Sequence, residues 1–146
     1  MPIEFTSRSF NEGFWYYRPG ENFPPPGLSD PAAYNGGEKL SIIGAASASP
    51  KDQAKLTGRW VQVLPTLKNV RILWISNKVS QAMFEAVCEM RGLEALWLKG
   101  SGIKSLESVL KLEQLQCLHI GSSTRLESIV PLPHLKQLKW LELENI

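Results

Sequence analysis

Four stretches of this chain carry the same spacing of apolar residues, and that repetition limits the possible folds more than any other feature. They are Val70-Arg71-Ile72-Leu73-Trp74-Ile75, Leu93-Glu94-Ala95-Leu96-Trp97-Leu98, Leu115-Gln116-Cys117-Leu118-His119-Ile120 and Leu138-Lys139-Trp140-Leu141-Glu142-Leu143. Each reads apolar-x-x-apolar-x-apolar, and successive copies start 23, 22 and 23 residues apart. Between copies the apolar residues advance in threes, as in Ile103, Leu106, Val109, Leu112, Leu115 and Leu118, before a closing step of two to Ile120. Steps of three suit a tight helical or extended turn with one buried face, and a step of two is a strand. One short strand and one return segment per copy make a coil, and stacked coils make a solenoid.

The pattern resembles the leucine-rich repeat superfamily, L-x-x-L-x-L-x-x-N-x-I. Its period is similar to that of the short-repeat class found in bacterial internalins and in a eukaryotic phosphatase regulator. The resemblance covers residues 64–146. It implies an α/β solenoid: a curved array with a parallel concave sheet, and short convex helices giving way to extended or 3-10 turns. At the family's asparagine, which bonds loop backbone between coils, this chain has Ser101 and Ser123, and Asn77 sits one residue early. Serine bonds more weakly there, so a looser ladder is expected.

The return segments are readable individually. Ser49, Pro50 and Asp52 supply an N-cap, a proline at the first helical position and an acid at N3. Leu56, Trp60, Val63, Leu64 and Leu67 follow on one face. Ser80 is expected to cap a second helix through Met83, Phe84, Val87 and Cys88, stopped at Gly92. Pro131 and Pro133 forbid an α-helix in the last return segment. Residues 1–36 are irregular and aromatic-rich, with Phe5, Phe10, Phe14, Trp15, Tyr16, Tyr17 and Phe23. They form the expected N-terminal cap of a repeat domain over 37–146, entered through a leading strand at Lys39–Gly44. Pro24-Pro25-Pro26 fits a rigid wrap across the first coil better than a polyproline ligand. No cap follows Ile146, so the expectation is a longer protein cut here, or an edge covered by a partner; otherwise the chain is a monomer.

Function is sought on the concave face. With leucines pointing inward, the outward residues are Ile72, Trp74 and Ser76; Ala95, Trp97 and Lys99; Cys117, His119 and Gly121; and Trp140, Glu142 and Glu144. Trp74, Trp97, His119 and Glu142 should share one rung position, with Trp140 diagonal to His119. Tryptophan is the residue most enriched in binding hot spots. The reading is a non-catalytic protein–protein interaction module that binds a partner through Trp74, Trp97, Lys99, His119, Trp140, Glu142 and Glu144. Three alternatives stay open. The rings are covered by a folded-back N-terminal segment (residues 1–36) or by a further C-terminal part, the array is a recognition or scaffold segment of a larger effector or enzyme, or the tryptophans stack on a glycan.

Other classes are disfavoured. A net charge of +2 gives no electrostatic case for nucleic acid or an anionic membrane. The N-terminus lacks a charged region followed by an apolar one, and no apolar run approaches the ~20 residues of a membrane span. A soluble cytoplasmic protein with two free thiols, Cys88 and Cys117, is expected. A Cys117–His119–Glu142 nucleophile set is disfavoured because residues two apart on a strand lie roughly 6.5–7 Å apart. Cys88, Cys117, His119 and His134 match no zinc spacing, and Gly100-Ser101-Gly102 reads as a repeat turn rather than a phosphate loop. No metal or cofactor is expected.

Overall fold

A computed structural model describes residues 13–45, 47–76, 79–99 and 102–146. Phe5 and Phe10 of the expected cap, Asn77 and Ser101 of the ladder, and Gly100 of the repeat turn lie outside the described residues. The described residues form a five-stranded parallel sheet in sequence order: β1 (Lys39–Ile42), β2 (Ile72–Ile75), β3 (Ala95–Lys99), β4 (Cys117–Gly121) and β5 (Trp140–Glu144). Four strands are the four repeat copies, and the leading strand at Lys39 is the fifth. Strands that follow one another in sequence and pair in parallel require a return segment on one side each time, which is what makes the coil. The fold is a solenoid of the leucine-rich-repeat kind.

Helix gives way to tighter turns along the returns. The first is α1 (Pro50–Val63) and the second α2 (Gln81–Cys88), followed by 3-10 turns at Glu107–Lys111 and Leu132–His134. Ser49 Oγ accepts from Asp52 N–H at 3.1 Å, and Ser80 Oγ from Met83 N–H at 3.1 Å. Each satisfies a donor that the first turn leaves over. α2 ends at Cys88, short of Gly92, because Glu89 N–H turns to Ala86 and Val87 carbonyls and tightens the last turn. Gly92 lacks the left-handed backbone of a helix-terminating glycine.

The main core lies between the sheet and the returns. Leu73, Leu96 and Leu118 are fully buried there, with Phe84, Val109 and Leu112 from the convex side. The coils are also tied by side chains one period apart: Arg71 to Glu94, Glu85 to Ser108, and Glu89 to Lys111. Gln81 bridges coils most fully. Its Oε1 accepts from Lys104 and Ser105 N–H, and its Nε2 donates to the Ser105 carbonyl. That is the inter-coil task expected of the ladder asparagine. Ser123 instead donates to its own strand, at Gly121 O, 3.2 Å away.

The N-terminal part divides its work. Leu28 pairs with β1, its N–H donating to Ser41 O and its carbonyl accepting from Ile43 N–H. Ser29 O accepts from Trp60 Nε1–H at 3.0 Å, fixing the same stretch to α1. Leu28 and Ser29 therefore tie this stretch to the edge of the first coil. Residues 13–23 go elsewhere, onto the concave face.

Candidate functional site

The register aligns the concave residues into rungs. One rung is Ser41, Trp74, Trp97, His119 and Glu142, and the next outward is Lys99, Gly121 and Glu144. A third holds Lys39, Ile72, Ala95, Cys117 and Trp140. Strand alternation puts these three rungs on one face.

Much of that face is not open. Phe14 and Phe23 pack with Ile72, Trp74, Ala95 and Cys117 in a second buried cluster, on the side of the sheet opposite the main core. The rings meet edge to face, Phe23 on Trp74 at 4.8 Å and Trp15 on Trp74 at 5.7 Å. The Arg18 guanidinium lies 3.6 Å from the Phe23 ring centroid and closes the outer side of this stack. Trp74 is consequently 4% exposed. Of the two readings open for Trp74, exposed to a partner or covered by the chain itself, it takes the second: a segment of the same chain covers it, because four adjacent apolar side chains on a sheet are more stable buried than wet.

The remaining residues lie further along the sheet. Trp97 and Trp140 are half-buried against the second cluster, while Lys99, Glu142 and Glu144 are exposed. His119 was expected at the surface and is 3% exposed. Its ring stacks on Trp97 at 5.0 Å and 12°. Its Nδ1 is 3.4 Å from Glu142 Oε1, and its Nε2 is 3.8 Å from Glu144 Oε2. Burial holds its pKa below the ordinary imidazole value, against the pull of the two carboxylates and with a small push from Lys99. His119 is therefore neutral at physiological pH.

Cys117 sits on the neighbouring rung. It is completely buried, and loss of solvation pushes its thiol pKa up to about 12. A thiol of that kind is protonated at neutral pH and a poor nucleophile. His134, at the end of the last 3-10 turn, is exposed and belongs to the return segment before β5 rather than to a concave strand.

Among the described residues, no helix is long and apolar enough to cross a membrane. No protein-family model and no curated protein matches the sequence. Among solved structures, the chain is similar to internalin C2 of Listeria monocytogenes, with a TM-score of 0.49 and 22% identity over 55% of this chain and 34% of that one. The chain thus spans about a third of that protein's length.

Proposed function

We propose that this chain is a non-catalytic protein-interaction module, and that its docking surface is the part of the concave face beyond the Phe14–Phe23 cluster: Trp97, Lys99, Trp140, Glu142 and Glu144. The observation that supports this most is the juxtaposition of two half-buried indoles with three exposed charged side chains on adjacent strands. A sheet holds those groups in place before the partner arrives, so little ordering is needed on binding. The indoles supply buried area and the charges set orientation. Glu142 and Glu144 favour a partner segment bearing a basic side chain at that end. Trp74 and His119 act beneath the surface, Trp74 by anchoring residues 13–23 and His119 by supporting the Trp97 ring. Cys117 offers no thiolate for catalysis.

Capture from native lysate tests this with two variants, Trp97→Ala/Trp140→Ala and Glu142→Lys/Glu144→Lys, each first checked for folding by circular dichroism. A partner held by the parent and lost by both variants supports the reading. A partner captured equally by the folded variants places binding elsewhere and overturns it.

A further inference from the structure

We propose that His119, Glu142 and Glu144 form a binding site for a divalent transition-metal cation of the Zn2+ type, at the β4–β5 end of the concave face. The register makes the site. His119 and Glu142 share a rung, and Glu144 follows two residues on, so one imidazole and two carboxylates converge from two strands. One ligand atom from each lies within 4.8 Å of the other two. A tetrahedral zinc ion needs ligand atoms about 3.4 Å apart, given metal–ligand bonds of about 2.1 Å. Both glutamates have side chains 47% exposed, and small rotations of these free carboxylates close the gap.

Acidic side chains beside one another are ordinary; two further features are not. The first is His119 itself, a buried ring whose two nitrogens both lack a hydrogen-bond partner. A buried polar atom left unsatisfied costs roughly 1–3 kcal/mol, and here both nitrogens face the carboxylates. An imidazole nitrogen that faces two carboxylates can take a metal through its lone pair.

The second is Gly121. Its backbone is not left-handed, so its conformation does not call for glycine. A Cβ there would lie 3.0 Å from His119 Nε2 and 3.7 Å from Glu144 Oε2. The absent side chain keeps open the space between those two ligand atoms.

Lys99 stands on the same rung as Gly121 and Glu144 and opposes a cation. It is exposed and single, against two carboxylates, which leaves the surroundings at −1 before the ion enters. One nitrogen and two oxygen donors suit Zn2+ and its neighbours better than Ca2+ or Mg2+, which take oxygen donors only. Three protein ligands leave a fourth position for water or a partner's donor atom. The proposal needs no partner protein and stands whether or not this face docks one.

Isothermal titration of the full chain with ZnCl2 at neutral pH tests the proposal. One ion per chain should bind, and Ca2+ and Mg2+ should give no saturable heat. Glu142→Gln/Glu144→Gln alters exposed side chains and should fold; it should weaken Zn2+ at least tenfold. Gly121→Ala should weaken it too, with an unchanged circular dichroism spectrum, and His134→Gln should bind as the parent does. Three results each overturn the proposal: no saturable Zn2+ binding, affinity unchanged in the folded glutamine double variant, or binding abolished by His134→Gln.

Discussion

Cys117 and Cys88 lie on opposite sides of the sheet, one under Phe14 and Phe23 and the other in the main core, and both are fully buried. Burial raises both thiol pKa values, that of Cys117 to about 12 from an ordinary 9.0. The folded chain therefore holds these protons more tightly than the unfolded chain does. The stability this supplies is complete below pH 9 and is lost as pH rises towards 12. Denaturant midpoints measured from pH 8 to 11 should fall with pH, and Cys117→Ala should flatten part of that fall. At pH 8 a thiol reagent should leave the native chain unmodified and label both cysteines in denaturant. The same scale shows what a sequence conceals. Trp74, Trp97, His119 and Glu142 were placed on one rung by counting alone, and they occupy it. The cluster of His119 with Glu142 and Glu144 is hidden in the sequence because no interval along the chain marks it. Here a strand register, not a sequence interval, brings them together.

Between residue and molecule stand the caps and the covering segment. Ser80 is legible as a cap because its signal is local: a serine before a helical apolar series. Ser80→Ala should cost about 1 kcal/mol of stability, read from denaturant midpoints. Residues 13–23 are equally visible as aromatic-rich, but the sequence leaves two destinations open, the first coil or the concave tryptophans, since Phe14, Trp15 and Phe23 follow no period that a face could be matched to. Their contacts are also separate from the main core, with the sheet between the two clusters. Removing them should therefore release the segment and spare the array. Phe14→Ala/Phe23→Ala should shift tryptophan emission to the red and open Trp74 to acrylamide, while far-ultraviolet circular dichroism is kept. Loss of both signals together would make the segment part of one indivisible core.

At the scale of the whole chain, stability in a solenoid is close to a sum over coils and the contacts between neighbours. β3 has neighbours on both sides, and Ala95, Leu96 and Leu98 are all completely buried. Among the described residues β5 pairs with β4 alone; Leu141 is 43% exposed, and Val130 in the return before it is 68% exposed. Opening should start at β5 and run towards the middle, so backbone amides of 138–144 should exchange with deuterium well before those of β2 and β3. The proposed cation site joins β4 to β5, the junction that holds this edge strand. An ion bound there must leave when β5 detaches, so Zn2+ at one hundred times its Kd should stabilise that junction by about 2.7 kcal/mol. Exchange of the β5 amides should then slow by about a hundredfold, with β1 amides unchanged. Glu142→Gln/Glu144→Gln should retain the gradient and lose the zinc effect. Uniform exchange along the array would instead mean that the coils unfold as one unit, and that the edge strand owes its order to contacts beyond its neighbour.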